Sequence, residues 1–266
     1  MVWSAHVSML FRELPYLERP DAAARAGFRT VETWWPADGL AEAWADEVVR
    51  LGLDVAAINS YGGDIEAGER GFLNDPARHD EAVAAFTEAV GLARRVGCTE
   101  EKFVAESHKL GINVLVGRER PGRRRAAQIA DAVSVLSECV AIACEAGVAI
   151  LVEPINELDV PGSLVPTPRD AVEVIERVGA EQVRLLYDAY HAARAGDDPC
   201  RDVAAFAPLI GHVQYADCPG RGAPGTGNVD LAAFVDALRS AGYRGPVGLE
   251  FDPGGPTADA LERLPW

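Results

Sequence analysis

Four polar residues stand at the ends of apolar runs in this chain: Glu153 in AILVEPIN, Asp188 in VRLLYDAYH, Gln214 in GHVQYAD and Glu250 in PVGLEFDP. Each run reads as a buried strand, where an ionised carboxylate without a partner costs on the order of several kcal/mol, so the four are expected to meet and share a cation. Three carboxylates and an amide oxygen form a hard donor set suited to Mg²⁺ or Mn²⁺, with water or substrate in the remaining positions. Glu153 and Glu250 bracket the set. Two carboxylates facing each other across a substrate suit proton abstraction beside a carbonyl, one removing the proton and the other returning it. An ion pair or a loop cap is the plainer reading for any one of these residues; four at the same end of successive runs favour the metal.

Other polar residues follow the same runs. His191, shortly after Asp188, could hydrogen-bond a substrate oxygen or orient a ligand, or serve as a structural loop histidine. Arg221, in ADCPGRGAPGTGN, could pair a substrate carboxylate through its planar fork. The glycines of that loop could cradle an anion or simply allow a tight turn before a helix capped by Asp230. Glu69 and Arg70, in AGERG, could contact substrate or pair with each other on a lid. His6 and His212 read as barrel-interior or bottom-face core residues. Of the pair Trp34 and Trp35, one ring is expected to face the pocket as an apolar wall while the other packs under the helices.

These residues need elements to position them. Short apolar runs alternate with amphipathic, Ala-rich segments, a βαβα rhythm that predicts parallel strands covered by helices. The strands fall at 2–10, 30–35, 55–60, 112–116, 148–154, 183–188, 211–216 and 247–251. The helices fall near 14–26, 40–51, 79–96, 125–146, 168–178, 203–209, 231–241 and 258–264. Glycines at 27, 52, 97, 147, 179, 211 and 242 stand where helices should stop before the next strand. Eight such units predict a single (β/α)8 TIM barrel over residues 1–266, with the site at the C-terminal rim of the strands. Positions 153, 188, 214 and 250 are spaced by about one βα unit each, which makes them rim neighbours. An open doubly wound sheet is the alternative, but no G-x-G-x-x-G follows the first strand. One segment, 99–111, breaks the rhythm and reads as a short extra helix at the bottom of the barrel, suited to packing or subunit contact.

The chain has 266 residues, 48% of them apolar, enough for one complete core. No apolar run approaches a membrane span, and the N-terminus lacks the pattern of a secretion signal, so a soluble cytoplasmic protein is expected. Five cysteines without a C-x-x-C pair read as reduced thiols. A net charge of −16 disfavours nonspecific binding to nucleic acid or anionic lipid. The basic run 118–125 reads as a solvated loop before a helix.

The phrases SMLF, N-x-x-x-G-D-x-x-A-G-E-R-G from Asn59 to Gly71, INVLVG, LVEPIN, YDAYH, GHVQYAD, R-G-x-P-G-T-G from Arg221 to Gly227, and VGLEF resemble the hydroxypyruvate isomerase family over nearly the whole chain. The resemblance implies a barrel of the xylose-isomerase-like superfamily that interconverts hydroxypyruvate and tartronate semialdehyde in glyoxylate metabolism; close relatives isomerise 2-oxo-tetronates. It implies Glu153 and Glu250 as the acid/base pair, and Glu153, Asp188, Gln214 and Glu250 as ligands of a divalent metal. Asn59 and Glu69, in the first long motif, are expected as substrate contacts beside His191 and Arg221. The chain departs from the family's pattern at 99–111 and at Ser60-Tyr61-Gly62, which stands in place of the common L-P-A. These departures bear on subunit contacts, a homodimer among them, and on substrate size.

Three other readings compete. A ketose 3-epimerase would use the same two glutamates on a longer sugar. A DNA-repair endonuclease of the superfamily would need a histidine-rich zinc cluster and a basic face, against which stand five histidines and the acidic charge. A noncatalytic sugar-acid binding protein would keep the pocket without turnover.

Overall fold

Successive side chains of a strand point to opposite faces, so a barrel strand divides its residues between the helix-covered outside and the interior. The computed structural model, which describes residues 1–37, 39–65, 67–97, 109–262 and 264, follows this division throughout. Strands β1 (Val2–His6), β2 (Thr30–Thr33), β3 (Asp54–Asn59), β4 (Gly111–Val114), β5 (Ala149–Val152), β6 (Val183–Asp188), β7 (Ile210–Tyr215) and β8 (Pro246–Leu249) close into one barrel in sequence order. All neighbours are parallel, and β1 pairs with β8 to complete the ring. Outward residues such as Val152, Tyr187, Val213 and Leu249 join the main core with Trp44, Phe86 and Phe234 of the helices. Inward, a small cluster of Ala57, Ala149, Leu151 and Leu186 fills part of the barrel.

The helices are α1 (Arg19–Arg25), α2 (Ala41–Leu51), α3 (His79–Arg95), α4 (Arg125–Ala146), α5 (Pro168–Val178), α6 (Ala189–Arg194), α7 (Pro199–Phe206), α8 (Leu231–Ser240) and α9 (Thr257–Leu261). Helix α5 starts with a capping box between Thr167 and Asp170 and stops at Gly179, whose φ of 67° is the left-handed conformation expected at a helix end. Gly211 differs from the expectation: it lies inside β7, where a Cβ would come within 2.6 Å of Cβ of Arg184, so close approach rather than a turn requires glycine there. The expected first strand 2–10 ends at His6, because the amides of Met9 and Leu10 turn back onto the His6 carbonyl. The expected extra helix at 99–111 lies outside the described residues, apart from its last three positions.

Helix α4 is long and apolar enough by length and composition to cross a membrane. Asp131 and Glu138 interrupt its apolar run. It packs between α3 and α5 and against β5, with Ile129, Ala132, Leu136 and Ala143 buried. The basic run ahead of it is spent on local bonds: Arg120 pairs with Asp75, Arg123 with Asp131, and Arg125 with Asp170.

Candidate active site

Alternation places the four strand-end residues inside the barrel. Asp188 pairs in register with Gln214, and Gln214 with Gly248, two residues before Glu250. Glu153 directly follows β5. All four are buried. Asp188 ends β6 and also caps α6: its Oδ1 accepts the amides of Tyr190 (2.7 Å) and His191 (3.3 Å), while its Oδ2 has no hydrogen-bond partner among the described residues. Burial, and then the charge of Glu250, push the Asp188 carboxyl up to about 7.

Glu153 accepts from Nδ2 of Asn113 at 2.5 Å, and Asn113 Nδ2 also donates to Oδ1 of Asn59 at 3.1 Å. Asn59 thus stands one residue removed from Glu153. Burial and the neighbouring charges of Glu250 and Asp188 raise the Glu153 carboxyl well above the usual range. Burial acts the same way on Glu250, but the charge of Arg221, with the hydrogen bond from Trp34, outweighs it and holds this carboxyl low. Glu250 Oε1 accepts from Nε1 of Trp34 at 2.7 Å and lies 3.5 Å from Nε2 of His6; Oε2 lies 3.0 Å from Nη2 of Arg221. One expectation changes here and another narrows: Trp34 presents its indole N–H rather than an apolar wall, and of the two places expected for His6 the structure gives the buried barrel interior, at the top beside Glu250, and not the base.

His191 was expected on a loop and lies in α6, a helix the sequence reading missed because it took YDAYH as strand and loop. Its Nδ1 meets Nδ2 of Asn156 at 2.6 Å and the Asn156 amide at 3.4 Å. The Asp159 amide donates to Oδ1 of Asn156, which fixes the amide orientation, so Nδ1 of His191 is an acceptor and Nε2 carries the proton. That Nε2–H lies 4.0 Å from Glu153 and 3.9 Å from Asp188. Burial, with the charge of Arg221, lowers the imidazole to about 3, so it is neutral.

Arg221 sits in a loop organised by a buried carboxylate. Asp217 accepts the amides of Cys218 (2.9 Å), Gly227 (2.8 Å) and Val229 (2.9 Å), so the glycine-rich segment cradles an internal anion and thereby aims Arg221 at Glu250. Glu69 takes a different place. It pairs with Arg78 at 2.5 Å and accepts the Asp64 amide at 2.8 Å, while Arg70 bonds the Glu69 backbone carbonyl, not its carboxylate.

Glu32, on β2, escaped the sequence reading altogether. It is fully buried, accepts from Nε2 of Gln214 at 2.8 Å, and meets Nε2 of His212 at 2.8 Å. The signal was weak: Glu32 stands in FRTVET, where Arg29, Thr30 and Thr33 break up the apolar residues, so no apolar run points to it.

The donor set fits a divalent cation. Glu153, Asp188 and His191 each bring a ligand-capable atom within 4.8 Å of one another, a buried group that could hold a metal ion. Oδ2 of Asp188 and Oε1 of Gln214 are buried oxygens without a hydrogen-bond partner among the described residues, an arrangement costly in a protein interior unless a cation or donor meets them.

A profile of the family described as "Xylose isomerase-like TIM barrel" matches residues 20–265. The chain is 36% identical over 276 residues to a putative hydroxypyruvate isomerase of Streptomyces coelicolor, covering 99% of this chain and 95% of that protein. It is 33% identical over 251 residues to the hydroxypyruvate isomerase of Escherichia coli, covering 94% and 93%. A crystal structure described as an AP endonuclease, family 2, from Brucella melitensis superposes with a TM-score of 0.89 at 30% identity, covering 98% of this chain and 97% of the other.

Proposed function

This chain belongs to the hydroxypyruvate isomerase family of xylose isomerase-like TIM barrels, and we propose that it is a metal-assisted isomerase of a small 2-oxo acid, converting hydroxypyruvate and tartronate semialdehyde into each other in the cytoplasm. The observation that carries this reading is the convergence, at the ends of adjacent strands, of two buried glutamates with the buried, unshared oxygens of Asp188 and Gln214.

Glu153, Asp188, Gln214 and Glu250 would hold the cation, Mg²⁺ or Mn²⁺ by the hardness of the donors. Bound there, it would polarise the substrate carbonyl and offset the negative charge that develops on the substrate oxygens. Glu153 and Glu250 move the proton: one takes it from C3 of hydroxypyruvate and the other returns a proton to C2, through an enediolate. The opposite displacements of their carboxyls, Glu153 up and Glu250 down, suit a pair with unlike duties. His191, neutral and donating through Nε2, and Arg221 beside Glu250 contact the substrate oxygens. Asn59 acts through Asn113 on Glu153. Glu69 reaches the substrate through the loop it braces. A phosphodiester substrate meets a net charge of −16, which repels a polyanion.

The test is a metal-supplemented screen of hydroxypyruvate, 2-oxo-tetronates and free ketoses, with products followed by NMR in D₂O. Isomerisation moves the carbonyl, whereas epimerisation inverts a centre and leaves it in place. Glu250→Gln is expected to keep the metal and to lose about 10²- to 10⁴-fold in turnover. Full activity of that variant on hydroxypyruvate would sink the acid/base assignment, and ligand binding without any turnover would favour a binding protein.

A further inference from the structure

The loop between β3 and α3 carries a cation that the scheme above leaves without a task. Arg70 lines a small cleft, partly open to solvent, together with Glu153, Ile155, Ser163 and Val165. Its Nη1 donates to the backbone carbonyls of Ile65 (2.9 Å) and Glu69 (2.6 Å), and among the described residues no carboxylate pairs with it. The nearest candidate, Glu69, is turned away to Arg78. Arg221, the other arginine of the site, lies against Glu250. The guanidinium of Arg70 is partly desolvated and feels the positive charges of Arg118 and Arg221, both of which weaken its hold on its own proton. An anion brought into the cleft relieves that repulsion.

The loop is built to hold Arg70 still. Gly71, the next residue, pairs antiparallel with Val116, and its amide donates to the Gly62 carbonyl at 2.8 Å. With φ at 88°, and with a Cβ there destined to strike the Leu115 carbonyl, this position excludes other residues. Arg78 ties Glu69 on one side and lies 3.7 Å over the Phe72 ring on the other. Arg118 reaches the Gly68 carbonyl at 3.3 Å. A rigid cation facing a cleft shared with a proposed acid/base glutamate is a preorganised anion subsite.

We propose that Arg70 binds the substrate's carboxylate and so makes the site selective for 2-oxo acids over uncharged hydroxyketones. The inference rests on the isomerase reading and adds its specificity element. A guanidinium fork matches a carboxylate in plane and in charge, and the carboxylate is the one group that hydroxypyruvate has and a simple ketose lacks.

The experiment compares wild type, Arg70→Met and Arg70→Lys, each loaded with Mn²⁺, using hydroxypyruvate as substrate and pyruvate and hydroxyacetone as competitive inhibitors. Arg70→Met is expected to raise KM for hydroxypyruvate and Ki for pyruvate by about ten- to hundredfold, with a smaller change in kcat and none in Ki for hydroxyacetone. Arg70→Lys should recover part of the loss. An active wild type whose Arg70→Met variant keeps its KM, or loses pyruvate and hydroxyacetone equally, overturns the inference alone. A wild type that turns over no 2-oxo acid overturns the isomerase reading and the inference with it.

Discussion

Glu32 accepts the Nε2–H of Gln214 at 2.8 Å inside the barrel. Nε2 of Gln214 is the donor in this contact, which sets the orientation of the amide: nitrogen toward Glu32, oxygen away from it. Oε1 of Gln214 is the atom left without a hydrogen-bond partner. Glu32 therefore decides which end of the amide is offered to a cation. Glu32→Gln, which can donate and turn the Gln214 amide around, is expected to weaken Mn²⁺ binding by about 10- to 100-fold. Titration followed by EPR measures this, and an unchanged affinity would remove Glu32 from the role.

Gly248 leaves the space that Glu32 occupies. A Cβ at this position would fall onto the Glu32 carboxylate. Gly248→Ala should therefore lower stability by about 1–3 kcal/mol in denaturant unfolding, as overpacking does. It should also reproduce the weakened metal binding of Glu32→Gln, since it displaces the same side chain.

Asn156 plays a comparable part for His191. Its contact with Nδ1 keeps the proton on Nε2, facing Glu153 and Asp188. Asn156→Leu should reduce kcat by about 10²-fold or more, the order of losing one oriented donor. ¹⁵N NMR of the wild-type ring is expected to show the Nε2–H tautomer. The sign of the linkage follows from a folded value of about 3 against the ordinary 6.5: as pH falls below 6.5, the unfolded chain takes up a proton that folded His191 refuses. This residue thus contributes a loss of stability on acidification, and its ring resonances should stay unshifted from about pH 5 to 8. A ring that titrates near 6.5 would contradict the buried neutral state.

Removal of divalent ions should abolish turnover, and Mn²⁺ or Mg²⁺ should restore it. Metal that binds the folded state alone raises stability by about 2.7 kcal/mol at a hundredfold excess over Kd, so the thermal midpoint should rise on adding Mn²⁺. Glu153→Ala should blunt that rise. Turnover that survives complete chelation would take the cation out of the reaction.

The barrel was legible because its signal is local and repeated: apolar runs of strand length, helices between them, and glycines such as Gly52, Gly147 and Gly179 in the left-handed conformation at helix ends. The four strand-end residues were legible for a related reason, since a polar group closing an apolar run announces itself without its partners. What the chain order concealed was pairing across the barrel. Glu32 is separated from Gln214, and Trp34 from Glu250, by most of the sequence, and only closure of β1 onto β8 brings such residues together. Of the two readings offered for Glu69 and Arg70, pairing with each other does not hold: Glu69 pairs with Arg78 instead, and Arg70 bonds only the Glu69 backbone carbonyl. Helix α6 went unread because Asp188 was counted as the end of a strand and not also as a helix cap.

That double duty has an evolutionary consequence. Asp188 spends one oxygen on starting α6 and offers the other to the site, so a substitution there disturbs the backbone that carries His191 together with the chemistry. Change that must preserve both is confined to almost nothing. Arg70 stands on a loop outside the barrel wall, where substitution alters neither strand nor cap. A descendant of this protein adapting to a new substrate would keep the ring of strand-end groups as inheritance and vary the loop.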